Sequence, residues 1–192
     1  MPLVSIGEVC GVTALMNIAE SDWLELEQEL DEFQKRFVDT AQRDPTDLLR
    51  FCCAMCEAAE LPVIGVGGHR IAARLSDDKV VKFAWKLSGL GHNQIEWAVW
   101  DSADTPTRRL LAPCLRLSPG AVLVQRYCRP VAASITERQT IVRQLARFGI
   151  VDSSHNLGIL GDDTVCYDYA LLSPDLTARL LRTRSFVSRV SL

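Results

Sequence analysis

The hydrophobic and polar positions of the first sixty residues predict two helices. Apolar residues at steps of three and four predict an amphipathic helix over residues 21–41. Such a stripe is typical of a face packed on the core, and a partner-binding groove is the alternative interpretation. Asp44 followed by Pro45 predicts a second helix, which should end near Glu60, before Pro62. The stripe of the first helix consists of Trp23, Leu26, Leu30, Phe33 and Phe37.

Strand patterns begin at residue 62. Residues 62–75 predict two strands joined by a glycine turn, and residues 79–85 predict a third strand after a Ser-Asp-Asp step. Lys82 lies among the apolar residues of that third strand, where a solvent-facing position in an alternating pattern would by itself explain it. Further elements are predicted as a short helix over residues 92–100 and strands over residues 110–114 and 121–127.

A capped helix and a hairpin follow. Ser134 and Glu137 have the spacing of a capping box, which predicts a helix that runs to Phe148 and ends at Gly149. Two apolar runs around a Gly-Asp-Asp turn then predict a β-hairpin. These runs are residues 157–160 and 164–167, the turn is residues 161–163, and a last short helix is predicted over residues 174–182.

Composition and charge narrow the classes of protein to which this sequence can belong. The 192 residues are 48% hydrophobic, which is enough for a substantial core in one domain or two joined lobes. The net charge of −3 gives no argument for a nucleic-acid partner. No apolar run approaches the roughly 18 residues of a membrane span, and Glu8 interrupts an N-terminal stretch that lacks the basic region of a signal peptide. We therefore expect a cytoplasmic protein that binds neither nucleic acid nor membrane.

The seven cysteines form no regular framework, which is typical of reduced thiols in the cytoplasm. Cys53 and Cys56 have the C-x-x-C spacing of a zinc-ligand pair, with Cys52 adjacent, but the sequence offers no second pair. Small apolar side chains packed on a helix are the favoured interpretation of these cysteines.

The polar residues around the predicted hairpin are candidates for metal binding and proton transfer. Asn156 precedes the first strand and Asp168 follows the second, so both should lie at one edge of the structure. Amide and carboxylate oxygens suit Mg²⁺ whose remaining ligands are phosphate oxygens. Asp152, a few residues upstream, would accept a proton from an attacking hydroxyl. The alternative is an ordinary surface hairpin whose Asp and Asn residues only make turns.

Several of these features follow one another in an informative order. A glycine turn between strands precedes Lys82 on the third strand and Glu96 on the next helix, and a Tyr-containing connector and a helix lead to Asp152, Asn156 and Asp168. This order resembles the protein-kinase-like fold, and most of all the small, divergent kinase-like proteins of bacteria and their phages. The resemblance covers roughly residues 62–170.

The resemblance implies an α+β class and a minimal two-lobed kinase-like fold with an N-terminal helical extension. The N-lobe would consist of a β-sheet and one helix, and the reduced C-lobe would carry the hairpin that resembles a catalytic loop. The implied boundaries are residues 1–61 for the helical extension, 62–129 for the N-lobe and 130–192 for the C-lobe.

The resemblance also implies a role for each matching residue. The glycine backbone would approach the phosphates of ATP, Lys82 would pair with those phosphates, and Glu96 would hold Lys82. The connector would be the hinge that offers backbone groups to adenine. Asp152 would be the catalytic base, and Asn156 and Asp168 would ligate Mg²⁺. The glycines are Gly65, Gly67 and Gly68, and the hinge runs from Gln125 to Tyr127.

Three departures from the kinase pattern bear on catalysis. Asp152 and Asn156 are four positions apart, whereas the kinase catalytic loop places its Asp and Asn five apart, and the preceding His-Arg is missing. Asp168 opens an Asp-Tyr-Ala in place of Asp-Phe-Gly. The 22 residues that follow Ala170 in this sequence are too few for an activation segment or a large helical lobe, so we expect neither among them.

Two functions are consistent with these observations. The first is a phosphotransferase that binds Mg²⁺–ATP and transfers phosphate to a hydroxyl acceptor on a protein or small molecule. The second is a catalytically inactive pseudokinase that acts as a protein-binding inhibitor or regulator. The retained Lys82, Glu96, Asn156 and Asp168 favour the first, and the short loop and small C-lobe favour the second. Protein contacts would involve the acidic helix 21–41 or an Arg-rich C-terminal tail, for which a solvated end is the alternative.

Overall fold

The computed structural model describes residues 45–58, 60–118, 122–130, 134–151 and 153–182. Five helices and eight strands within these ranges form an α+β protein with two antiparallel sheets. The helices are α1 (Pro45–Ala58), α2 (Leu87–Ser102), α3 (Thr105–Arg108), α4 (Ile135–Phe148) and α5 (Pro174–Arg182). The strands are β1 (Val63–Val66), β2 (Arg70–Arg74), β3 (Lys79–Ala84), β4 (Cys114–Ser118), β5 (Val122–Arg126), β6 (Arg129–Pro130), β7 (Leu157–Leu160) and β8 (Asp163–Cys166).

Three of the sequence predictions fall on residues that the structure does not describe. These are the helix over residues 21–41, the candidate base Asp152 and the part of the Arg-rich tail after Arg182. None of the described helices has the length and apolar character that a membrane crossing requires.

The larger sheet has five strands in the order β1-β2-β3-β5-β4, with every neighbouring pair antiparallel. Its central strand β3 is buried on both faces, because α1 covers one face and α2 packs against β3, β4 and β5 on the other. Since successive side chains alternate between the two faces, Val81 and Phe83 join the core beneath α1, and Lys82 points to the opposite face. Lys82 is thereby carried to the α2 side of the sheet.

The cysteines of α1 belong to the core. Cys52 and Cys56 are fully buried among Met55, Ile71 and other apolar side chains. Burial raises the pKa of the Cys52 thiol to about 12 and that of the Cys56 thiol to about 11, so both stay protonated. Within the described residues, no three His, Cys, Asp or Glu side chains come together as a metal-binding group. The interpretation as packing residues is confirmed for Cys52 and Cys56, whereas Cys53 is exposed.

The smaller sheet, in the order β6-β7-β8, is joined to the segment that precedes β4. The Cys166 N–H donates to the Leu110 carbonyl, and the Ala112 N–H donates to the Cys166 carbonyl, each at 2.8 Å. A second core forms where α4, α5 and the hairpin pack together around Leu145 and Tyr169, both fully buried. The end of the β7–β8 hairpin therefore lies against the larger sheet.

Local rules account for both ends of α4. The Ser134 hydroxyl accepts the Glu137 backbone N–H at 3.2 Å, as the predicted capping box requires. The Glu137 carboxylate does not complete the box, because it accepts the hydroxyl of Thr164 on β8 at 2.5 Å. Gly149 ends the helix with φ of +113°, a left-handed conformation that favours glycine. The helix prediction is confirmed. The Ser134 half of the capping box forms, and the Glu137 carboxylate binds the hairpin instead.

Most of the predicted elements are confirmed within a residue or two, and two predictions need correction. The strand predicted at residues 110–114 is wrong. Leu110 lies in a turn after α3, Leu111 forms only an isolated bridge with Cys166, and β4 begins at Cys114. The short helix predicted at residues 92–100 begins five residues earlier, at Leu87. Its first turns include glycines, which weaken the sequence pattern for a helix, and packing on the sheet overrides that preference.

One of these glycines, Gly89, fixes the position of α2. A β-carbon at Gly89 would overlap the carbonyl oxygen of His69 and lie 3.0 Å from the Ala84 β-carbon. The absence of a side chain thus lets the first turn of α2 lie directly on the turn between β1 and β2. The next two turns of the helix then hold Asn93 and Glu96, both fully buried, beneath that turn.

Candidate functional site

A cavity of about 340 Å³ lies between the turn that joins β1 to β2 and the end of the β7–β8 hairpin. This volume falls at the small end of the range usual for ligand sites, about 300–1,000 Å³. Seven of the candidate residues line it or hold a residue that does. The lining residues are Gly65, Val66, Gly67, Gly68, His69, Arg70, Ala72, Lys82, His92, Asn156, Asp168, Ala170 and Leu171.

Lys82 and Glu96 form the predicted ion pair. The Lys82 amine lies 2.8 Å from Glu96 Oε2, and Glu96 is fully buried. The amine also donates to the Tyr167 carbonyl at 2.6 Å. Lys82 is only 6% exposed, so its interpretation as a solvent-facing strand residue is wrong. Two of its three N–H groups are used in these contacts, and a buried ammonium requires such partners.

Arg70, at the start of β2, connects this pair to the hairpin. Its Nη2 donates to Glu96 Oε1 at 2.7 Å and to Asp168 Oδ1 at 2.9 Å, and its Nη1 donates to Asn93 Oδ1 at 3.2 Å. Burial lowers the pKa of Arg70, but the charges of Glu96 and Asp168 raise it above its ordinary value. The result is a network of two cations and two carboxylates in which every ionised group has an opposite partner.

Asp168 lies at the open side of this network, with 43% of its side chain exposed. Burial alone would raise the pKa of Asp168. The charges of Lys82 and Arg70 outweigh that effect and lower the pKa to about 2. The carboxyl group is therefore ionised at every pH where the protein would work.

The depressed pKa of Asp168 predicts a loss of stability in acid. Its stabilising contribution is complete above the ordinary pKa of 3.8 and disappears as the pH falls through about 2. A shift of this size corresponds to at most about 2.5 kcal/mol, which screening of the half-exposed group reduces to about 1 kcal/mol. Urea unfolding of the wild type and Asp168→Asn should differ by that amount at pH 5 and converge near pH 2. A difference that stays constant with pH would contradict this assignment.

The turn between β1 and β2 is held open above the charged network. The Trp85 indole N–H donates to the Gly67 carbonyl, and the Trp85 backbone N–H donates to the His69 carbonyl, each at 3.1 Å. A β-carbon at Gly65 or Gly68 would meet no atom within 4 Å. Packing therefore does not require glycine at these two positions, although Gly65 lies at an irregularity in the β1–β2 pairing where glycine is common. The absence of side chains leaves room for a ligand to approach the backbone closely.

Two histidines line the same cavity. The His69 ring contacts the His92 ring edge to face, with centroids 4.8 Å apart, and His69 Nδ1 lies 2.7 Å from the Ser88 hydroxyl. Burial lowers the pKa of His92, and the charges of Arg70 and His69 lower it further. His92 is therefore neutral near pH 7. A ligand in the cavity would meet its ring as a hydrogen-bond donor or acceptor and not as a positive charge.

The hinge residues and the candidate base were also part of the predicted site. The Gln125 side chain is fully buried and donates to the Ala112 carbonyl at 3.2 Å, and the Tyr127 N–H donates to the Asp78 carbonyl at 2.8 Å. The structure places both outside the set of residues that line the cavity. Their contact with adenine stays a prediction, as does the catalytic role of Asp152.

The residues expected to bind Mg²⁺ do come together, since Asn156 and Asp168 line the same cavity. Asp168 Oδ1, however, already pairs with Arg70 at 2.9 Å. A divalent cation on this carboxylate would lie close to two positive side chains, Arg70 and Lys82, and like charges at such distances repel. As the network stands, these residues do not fit Mg²⁺.

Arg70 is the main site residue that sequence reasoning missed. A charged residue directly after the glycine turn, at the head of the strand Arg70–Arg74, was the available indication of a role in the site. Nothing in the local pattern shows which carboxylates it meets.

Comparison with known proteins adds no family to these observations. No protein-family model matches the sequence, and no curated protein matches it. Function is therefore inferred from the residues and contacts of the cavity.

Proposed function

We propose that this protein is a kinase-like nucleotide-binding protein whose cavity takes the phosphate groups of ATP. The observation that carries the proposal is the buried Lys82, held by Glu96 at 2.8 Å beneath the turn between β1 and β2, which contains Gly67 and Gly68. A lysine fixed by a helix glutamate is the device by which kinases hold nucleotide phosphates. The chain order of glycine turn, Lys82, Glu96 and Asp168 supports the same proposal.

The contacts of Asp168 favour a regulator that binds nucleotide without transferring phosphate. In the kinase mechanism the equivalent carboxylate ligates the metal ions that bridge the phosphates. Here Arg70 pairs with that carboxylate, and the two cations of the cavity balance its two carboxylates. Such a protein would act as an inhibitor or regulator through contact with a protein partner.

Phosphate transfer to a hydroxyl acceptor is the second candidate. Asn156 and Asp168 line the same cavity as Lys82, which favours it, because kinases hold their metal ions with such a pair of groups. Transfer would then require Arg70 to release Asp168. Asp152 would position the acceptor hydroxyl in this case. The two candidates share the nucleotide site. They differ in whether the terminal phosphate of ATP is transferred.

Hydrogen–deuterium exchange with and without ATP tests the shared site. Exchange should slow in residues 65–70 and 167–170, because a ligand there covers the backbone of the glycine turn and of the hairpin end. Adenosine, which lacks phosphates, is the matched control and should leave residues 65–70 unprotected. Protection confined to other segments, or none at all with ATP, would overturn the proposal. Release of labelled phosphate in the same samples would select the transferase.

A further inference from the structure

The position of Arg70 suggests which cation in this cavity neutralises the negative charge of the phosphates. We propose that Arg70 is a built-in cation that stands in the place of Mg²⁺ at Asp168, so that the cavity binds ATP phosphates without a divalent metal. This inference rests on the proposed nucleotide site and specifies its ligand as the metal-free nucleotide.

The guanidinium group of Arg70 is fixed in place. Both Nη2 hydrogens are used, one by Glu96 and one by Asp168, and Nη1 donates to Asn93. Arg70 is 8% exposed, and a planar group held at three points on two elements loses little further freedom when a ligand binds. Its positive charge is therefore a permanent part of the cavity wall, since Arg70 also lines the cavity.

The unused donors of the network suit phosphate oxygens. Three of the five Arg70 N–H groups and two of the three Lys82 N–H groups are used in the contacts described above. Because both side chains line the cavity, we expect their remaining N–H groups to donate to an anion that enters it. Charge-assisted bonds of this kind are about twice as strong as neutral ones.

Binding of Mg²⁺ at Asp168 would disturb this network. Because Asp168 Oδ1 is already paired with Arg70, the ion would either displace the guanidinium from Oδ1 or lie beside its positive charge at Oδ2. Glu96 is fully buried and holds Arg70 through the same nitrogen, so moving the guanidinium away would leave this buried carboxylate with Lys82 alone to neutralise it. The arrangement therefore favours the fixed cation over a diffusible one.

Calorimetric titration of ATP into the full chain, with EDTA or with excess Mg²⁺, tests this inference. The wild type should bind ATP in EDTA at least as tightly as in Mg²⁺. Asp168→Asn removes a carboxylate that competes with phosphate for Arg70, so it should tighten binding in EDTA by about 10-fold. Arg70→Gln should weaken binding in EDTA by at least about 10-fold and make it dependent on Mg²⁺.

Arg108→Gln is the control, because Arg108 lies on α3 and is not among the residues that line the cavity. Its guanidinium donates to the Trp100 and Asp101 carbonyls, so this change should leave both affinities unaltered. Binding that requires Mg²⁺ in the wild type and is lost in Asp168→Asn would overturn the inference and leave the nucleotide site standing. The absence of ATP binding under both conditions would overturn the nucleotide site itself. If Arg70→Gln does not fold, Asp168→Asn still decides between these outcomes.

Discussion

Replacement of Glu96 by alanine should lower the free energy of unfolding by about 3–5 kcal/mol, the usual effect of breaking a buried ion pair. Glu96 has no exposed surface, and its two carboxylate oxygens bind Arg70 at 2.7 Å and Lys82 at 2.8 Å. Its removal leaves two cations in a cavity wall with Asp168 as the carboxylate between them. For a chain of this size the melting temperature should fall by roughly 10 °C or more.

Thermal and urea unfolding measure this loss directly. Glu57→Ala is the matched control, since Glu57 is an exposed glutamate on α1 and its loss should change stability by less than about 0.5 kcal/mol. Glu96→Gln keeps the shape and removes the charge, so it should fall between the wild type and the alanine variant. A loss below about 1 kcal/mol in Glu96→Ala would show that the network does not hold the sheet, α2 and the hairpin together.

Replacement of Lys82 by methionine should weaken ATP binding by about 10- to 100-fold. The lysine is proposed to give one charge-assisted hydrogen bond to a phosphate, and such bonds contribute about 1.5–3 kcal/mol. The variant should still fold, because Arg70 continues to neutralise Glu96 and methionine keeps most of the buried aliphatic volume. The effect should therefore appear in affinity much more than in stability.

Lys79→Met is the control for this change. Lys79 begins the same strand, lies opposite Arg126 and is not among the residues that line the cavity. Calorimetric titration should give it the wild-type dissociation constant for ATP. Equal affinities of the wild type and Lys82→Met for ATP would contradict the proposal that Lys82 binds a phosphate.

Features that depend on neighbouring residues could be predicted from the sequence. The cap of α4 at Ser134, its end at Gly149 and the β7–β8 hairpin each follow from a few adjacent positions. The Lys82–Glu96 pair was expected for a different reason, because it came with the order of motifs that resembles kinases. The structure confirms the pair and leaves the two-lobed kinase-like fold a proposal.

Features that depend on distant residues could not be predicted in this way. Arg70 meets Glu96 and Asp168 across 26 and 98 positions of sequence, and no periodicity connects them. The start of β4 was misplaced for the same reason, since Leu110 pairs with Cys166 of the hairpin. Asn156 and Asp168 lie at one cavity, as the hairpin pattern indicated, and their role as Mg²⁺ ligands stays a prediction against which the Arg70–Asp168 pair argues.

The melting temperature of the wild-type protein with and without ATP tests the central claim most directly. A ligand that binds the folded state and is present at about 100 times its dissociation constant adds about 2.7 kcal/mol of stability. For a protein of this size that corresponds to a rise of roughly 5–10 °C. We expect this rise with ATP in the presence of EDTA and none with adenosine. An unchanged melting temperature at millimolar ATP, with EDTA and with Mg²⁺, would contradict a nucleotide site in this cavity.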